Sequence, residues 1–128
     1  MAFRFEGLEI WQLAKAYAGR ICAMTVQFPR KEDYALTSQL NRAAYSVVLN
    51  IAEGSGRDTD AEFNHFLSIA VGSVFEVVGG LHLARQQNYI DEKTFASLYE
   101  DGDKLARKIN AFRNTLDVPK RQARRDKR

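Results

Sequence analysis

The sequence predicts an all-α protein, an antiparallel up-down-up-down four-helix bundle. Four segments repeat apolar residues at spacings of three and four, which is typical of helices with one buried side. Strand signals are absent, since there is neither a two-residue hairpin turn nor a run of alternating β-branched residues. The breaks between the helical segments are short, and short connections place successive helices side by side.

The first helix is predicted from about Leu8 to Gln27, and Pro29 prevents it from continuing. Its apolar positions are Leu8, Trp11, Ala14, Tyr17 or Ala18, Ile21, Met24 and Phe28. Phe3, Phe5 and Trp11 add aromatic surface near the N-terminus. Together with the second helix, they exceed what one small bundle is expected to bury.

The second helix is predicted from Thr37 to Glu53, before the turn formed by GSGR at 54–57. Leu40, Ala43, Ala44, Val47 and Ile51 form the usual stripe, while Tyr45, Val48, Leu49 and Ala52 place apolar groups on the other sides. Little of this helix is then expected to face water. Gln39, Arg42, Asn50 and Glu53 should be partly buried, which requires hydrogen-bonded or charged partners.

Arg42 and Glu53 are expected to find those partners elsewhere. They are separated by three helical turns, so they share a side of the helix but are too far apart to touch. Each needs a partner on another helix or another subunit. The segment therefore favours assembly, and the sequence predicts a stable homo-oligomer.

The third helix is predicted to begin after Thr59, with Glu62 completing a capping box, and to end near Gln87. Gly72, Gly79 and Gly80 each cost roughly 1 kcal/mol relative to alanine inside a helix. We expect them to allow close approach of another helix, with a local bend as the alternative. The inward positions are Phe63, Phe66, Leu67, Ala70, Val74, Val77, Val78, Leu81 and Ala84.

The fourth helix is predicted to be capped by Asp91. Its apolar positions form a heptad seam three repeats long: Phe95, Leu98, Gly102, Leu105, Ile109, Phe112 and Leu116.

The composition indicates one bundle domain, residues 1–118, in a chain of 128 residues that is 45% hydrophobic. The single cysteine, Cys22, excludes an internal disulfide and is expected to be a small buried apolar side chain. No signal-peptide pattern is present, and no segment free of charge approaches the length of a membrane span. We therefore expect a soluble cytoplasmic protein with no membrane partner.

Residues 119–128 are predicted to form a basic tail without apolar periodicity, either disordered or a frayed helical extension. Their net charge is +5, so the preceding 118 residues sum to −2 in a chain of net charge +3. Such a tail either binds polyanions or only keeps the protein soluble. Its candidate nucleic-acid contacts are Lys120, Arg121, Arg124, Arg125, Lys127 and Arg128.

Enzymatic chemistry is not expected. Glu62 and His65 have the spacing of half a di-iron site in a helical bundle, but the second half-site is missing. The loop Gly54–Ser55–Gly56–Arg57 lacks the lysine and following Ser or Thr of a nucleotide-binding loop. We expect no catalytic residue, metal or cofactor.

A structural or assembly role explains the polar residues of the second and third helices more simply than catalysis does. Glu53, Glu62 and Glu76 have no nucleophile or histidine at a supporting spacing, whereas buried glutamates can pair with Arg42 or Arg57. The predicted assembly set is Gln39, Arg42, Asn50, Glu53, Arg57, Glu62 and Glu76.

Two elements of the sequence are specific to a known family, NIAEG at 50–54 and GS-x-x-E at 72–76. Further positions match its pattern in order and spacing: Phe28–Pro29, Glu32, Tyr34, Leu36–Thr37–Ser38–Gln39, Arg42–Ala43–Ala44, Ser46, Arg57, Glu62–Phe63, Phe66–Leu67 and Ala70. Over about residues 3 to 116, the chain thus resembles the bacterial four-helix bundle proteins called 23S rRNA intervening-sequence, or S23, proteins.

This resemblance implies a cytoplasmic homopentamer of bundles arranged as a ring around a central channel, encoded within an extra segment of a bacterial rRNA gene. A related group, the accessory variability determinants of diversity-generating retroelements, binds nucleic acid and reverse transcriptase through a basic pentamer surface. The basic tail lies outside the shared pattern.

Two functions from different classes follow. The first is a ring that binds RNA or DNA electrostatically, through phosphates contacted by the tail. The tail has no aromatic residues, so sequence-specific recognition is not expected. The alternative is an oligomeric scaffold that docks a protein partner, with no role in nucleic-acid binding.

Overall fold

A computed structural model describes residues 2–119 as four α-helices, with no strand in that range. The helices are α1 (Glu9–Thr25), α2 (Leu36–Ser55), α3 (Asp60–Gln86) and α4 (Glu92–Arg113). Two 3₁₀ turns, at Arg4–Gly7 and Arg30–Glu32, were not predicted from the sequence. Each helix packs against its neighbours in the chain, and α1 also contacts α4. The all-helical prediction is confirmed, and the ends of α1, α2 and α3 lie within two residues of those expected, whereas α4 ends three residues before Leu116, the last position of its predicted seam.

The helix ends follow from local hydrogen bonding. Thr59 accepts from the backbone N–H of Glu62 at 3.1 Å, and Asp91 accepts from that of Thr94 at 2.7 Å, as their cap positions predicted. The Thr94 bond also lowers the pKa of the Asp91 carboxyl. After α3, Asn88 adopts a left-handed conformation with φ of 62°. This lets Asn88 and Tyr89 donate to the carbonyls of Arg85 and Ala84, which ends the helix.

The core lies along the inner sides of all four helices. Among the apolar positions expected on α3, Phe66 and Val78 are only half-buried, and the other seven are buried. On α4 the predicted seam is buried from Phe95 to Ile109, and Phe112 and Leu116 pack against its edge. At the N-terminus, Phe3 remains exposed.

Polar side chains also join elements that are distant in the sequence. The Tyr17 hydroxyl of α1 donates to the carbonyl of Leu98 on α4 at 3.4 Å, and burial raises the pKa of this phenol. Thr25 donates to the side chain of Asn41 at 2.9 Å, which joins α1 to α2. Tyr89 donates to Glu32 at 2.7 Å, and that bond lowers the pKa of the Glu32 carboxyl.

Three glycines allow close helix packing. A Cβ at Gly54 would lie 2.7 Å from Phe66 Cβ and 2.8 Å from Phe63 Cδ1. Gly80 similarly abuts Leu40, and Gly102 abuts the Tyr17 hydroxyl. The prediction of close approach is therefore correct for Gly80. It is wrong within this chain for Gly72 and Gly79, where a Cβ would meet nothing within 4 Å among the described atoms.

Gly54→Ala should destabilise the protein although alanine favours helix more than glycine does. The added Cβ collides with the Cβ of Phe66, which cannot move without shifting α3, and overpacking of this kind costs about 1–3 kcal/mol. Urea denaturation monitored by circular dichroism measures the change.

Gly19→Ala is the matched control for this substitution. Gly19 lies inside α1 with open space around its Cα, so helix propensity alone should stabilise the protein by roughly 1 kcal/mol. Equal effects of the two substitutions would contradict the packing assigned to Gly54.

Candidate assembly surface on helices α2 and α3

Large apolar side chains remain exposed on the outer sides of α2 and α3. On α2 these are Tyr45 and Leu49, the latter 64% exposed. On α3, Ile69 is 41% exposed and Leu83 is 53% exposed. We call these four residues the outer apolar surface. Because the core beneath them is already filled, burial of these side chains requires another molecule.

Helix α3 is apolar on nearly every side. Among residues 2–119 it is the one helix that meets the length and composition of a membrane span, but it is interrupted by charged residues, and its longest stretch free of charge, residues 63–75, is shorter than a span. Core helices of soluble bundles meet the same criterion, and α3 packs against both α2 and α4. Only 33% of its most apolar window is buried within the chain, which leaves the remaining apolar surface without a partner.

Polar side chains form a seam where α2 meets α3. Gln39 donates to the Glu76 carboxylate. Further along, the hydroxyls of Ser46 and Ser73 lie 2.8 Å apart, and Asn50 donates to the Ser46 carbonyl at 2.8 Å. The seam therefore combines three of the predicted assembly residues with two serines that the prediction did not include.

Arg57 closes the loop between α2 and α3. Its guanidinium donates to Glu53 at 3.1 Å and stacks over the Phe66 ring at 4.7 Å from the centroid. Glu53 thus has one of the partners expected from the sequence. The pair is exposed, however, so its contribution to stability is small.

The expected burial of the polar α2 residues is wrong for the single chain. Gln39, Arg42 and Glu53 are exposed, and only Asn50 is half-buried. The apolar residues Tyr45 and Leu49 on the outer side of α2 are exposed as well, so residues 2–119 cover neither the apolar nor the charged side chains of that side. Arg42 lies on this outer side, with no hydrogen-bonding or ionic partner among residues 2–119.

The structure does not assemble a catalytic or metal site from the candidate residues. Glu62 and His65 are both exposed, and the His65 ring stands edge-on to Phe66 at 5.8 Å. Among the described residues, no three His, Cys, Asp or Glu side chains are grouped to hold a metal ion.

Cys22 is half-buried rather than buried. Its thiol lies 3.3 Å from the Tyr45 hydroxyl, and this contact raises the pKa of Tyr45.

The basic residues predicted to contact nucleic acid lie outside the described residues. These are Lys120, Arg121, Arg124, Arg125, Lys127 and Arg128.

The sequence reasoning also missed a groove between α3 and α4. Asn64 is buried there and accepts from Arg113 at 2.8 Å. The position of Asn64 next to Phe63 on the inner side of α3 was the available signal, because a buried amide needs a polar partner.

Comparisons with known proteins agree with this architecture. The model of the 23S rRNA-intervening sequence protein family matches residues 6–111. Comparison with curated proteins gives no match. Among solved structures, the chain is similar to a protein of unknown function from Bacteroides thetaiotaomicron, assigned to the S23 ribosomal protein family.

That similarity shows a shared fold. The TM-score is 0.76 at 20% identity, and the alignment covers 81% of this chain and 97% of the other. The family match spans all four helices except the last two residues of α4. The chain therefore belongs to the 23S rRNA-intervening sequence protein family.

Proposed function

We propose that this protein is a non-enzymatic, cytoplasmic, ring-shaped homo-oligomer that binds nucleic acid electrostatically through its basic C-terminal tail. The number of subunits, five, is the one implied by the family resemblance. The observation that carries the proposal is the outer apolar surface of Tyr45, Leu49, Ile69 and Leu83, which residues 2–119 leave exposed.

The outer apolar surface suits contact with a second copy of the chain. Full burial of a leucine or isoleucine side chain contributes about 1.5–3 kcal/mol, so covering Leu49, Ile69 and Leu83 would support stable association. A ring requires that one surface of a subunit contacts a different surface of the next. The exposed apolar residues lie on two different helices, which supplies two such surfaces.

The charge distribution supports the tail as the nucleic-acid contact. Five basic side chains of the bundle form ion pairs with acidic neighbours: Arg20, Arg57, Arg85, Arg107 and Lys108. Residues 1–118 carry a net charge of −2, whereas the tail carries +5. Phosphates are therefore attracted mainly by the tail, and the attraction weakens with salt.

The alternative function is a scaffold that docks a different protein on the outer apolar surface. The same exposed residues favour it, because the surface specifies apolar contact and not the identity of the partner. The two functions differ in whether the purified protein is oligomeric by itself and whether it binds RNA or DNA.

Leu49→Asp should reduce the oligomer to smaller species. A carboxylate placed in an apolar contact must be desolvated without a partner, which opposes association. Light scattering coupled to size exclusion measures the mass. A parent protein with the mass of one chain, 14.5 kDa, would contradict the assembly and favour the scaffold.

Val26→Asp provides the control for a charge on an exposed apolar residue. Val26 is 77% exposed at the end of α1 and is not part of the outer apolar surface. This variant should retain the mass of the parent. Loss of the oligomer in both variants would mean that the effect is not specific to α2.

Deletion of residues 119–128 should sharply reduce affinity for RNA and DNA at low salt. The affinity of the full-length protein for nucleic acid should fall by orders of magnitude between low and moderate salt. This decrease should be similar for oligonucleotides of different sequence. Fluorescence anisotropy with labelled oligonucleotides measures both effects.

Retention of full affinity by the truncated protein would instead assign the contacts to the bundle. Arg20, Arg85, Arg107 and Arg113 would then be the next residues to substitute. Absence of binding by either form at low salt would contradict the nucleic-acid function.

A further inference from the structure

An open groove separates α3 from the end of α4. Its volume is about 750 Å³, which is in the range of sites that hold small organic molecules. One wall consists of α3 residues and the other of α4 and the segment that follows it. The groove is lined, among others, by Asn64, Gly72, Phe75, Asn110, Asn114 and Val118.

Phe75 presents an exposed aromatic ring at this groove. The side chain is 69% exposed, and it lines a second hollow of about 230 Å³ next to Tyr99. Gly72, one turn earlier, leaves open space beside it, since a Cβ there would meet nothing within 4 Å. The ring therefore has room on the sides of both hollows, which is the arrangement that stacking of a planar base requires.

Amide side chains line the same groove as the aromatic ring. Arg113 donates to Asn64 at 2.8 Å and to the Oδ1 atom of Asn110 at 3.2 Å. With that oxygen occupied, the amide nitrogen of Asn110 remains a donor without a partner among residues 2–119. Asn114 adds a further amide. Amides both donate and accept, as the edges of nucleobases do.

The basic tail follows the groove closely in the sequence. Val118 lines the groove, and the basic tail begins two residues later at Lys120. In the second hollow, the carboxylate of Asp103 is paired with Arg107 at 3.0 Å. The tail is thus joined to the chain next to a residue that lines the groove, and the carboxylate of Asp103 has a cationic partner.

We propose that the α3–α4 groove binds bases of single-stranded nucleic acid, with Phe75 as the stacking platform and Asn110 as a hydrogen-bond donor to a base edge. This inference rests on the proposed nucleic-acid function. It adds a base-dependent contribution to an affinity that the tail alone would make indifferent to the bases. Double-stranded nucleic acid, whose bases are already stacked and paired, does not enter the groove.

The test compares two labelled ten-nucleotide probes by fluorescence anisotropy at one salt concentration. One probe is oligo(dT), and the other has the same phosphates with abasic sugars. The parent should bind oligo(dT) about tenfold more tightly or more, the effect of at least one stacked base. Oligo(U) and oligo(A) then show whether the site accepts RNA and whether it discriminates between bases.

Phe75→Ala should abolish the preference for oligo(dT) while leaving abasic binding, its salt dependence and the oligomer mass unchanged. Phe75→Tyr should keep the preference, because the ring remains. Asn110→Ala should reduce discrimination between oligo(U) and oligo(A). Phe3→Ala is the matched control, since Phe3 is 64% exposed and does not line the groove.

The outcomes separate the two proposals. Equal binding of both probes by the parent would overturn the groove and leave electrostatic binding by the tail intact. Absence of binding to either probe would overturn both. A change in oligomer mass in Phe75→Ala would assign Phe75 to subunit contact and overturn its role as a stacking platform.

Discussion

The packing of α3 is the constraint on which the rest of the structure depends. This helix has apolar residues on nearly every side, yet it can contact only α2 and α4 within the bundle. Glycines at the contacts, Gly80 on α3 and Gly54 on α2, bring α3 close to α2 and fix their separation. The remaining side of α3 stays exposed with Ile69, Phe75 and Leu83. Both proposals for this protein arise from that unburied side.

The two halves of the exposed α3 surface differ in chemistry. Towards α2, Glu76 bonds to Gln39 and apolar residues surround a largely satisfied polar seam, which suits a stable contact with another copy. Towards α4, Phe75 stands between hollows lined partly by amides, which suits a polar planar ligand. One helix can therefore serve assembly on one side and binding on the other.

The sequence predicted most of the fold because its signals are local. Thr59 and Asp91 marked helix starts, Pro29 marked a stop, and the spacing of apolar residues gave the inner sides of the helices. The exposure of Gln39, Arg42 and Glu53 in the single chain could not be predicted from this spacing. Periodicity shows which residues are apolar, but it does not show whether the second apolar side of a helix meets its own chain or another molecule.

The α3–α4 groove could not be predicted from the sequence for a different reason. Asn64 and Asn110 are separated by 46 positions, and only the antiparallel packing of α3 and α4 places both beside Arg113. The family resemblance does not help here, because its specific elements lie on α2 and α3. The basic tail, in contrast, could be recognised from the sequence, since its charge is evident from composition alone.

Hydroxyl-radical footprinting of the purified protein tests the central claim most directly, namely that a second copy covers the outer sides of α2 and α3. In the single chain, Leu49, Leu83 and Val26 are all more than half exposed. If subunits cover the outer apolar surface, Leu49 and Leu83 should be strongly protected from oxidation relative to Val26, after correction for intrinsic reactivity. Oxidation of all three in proportion to their exposure in the single chain would contradict the claim.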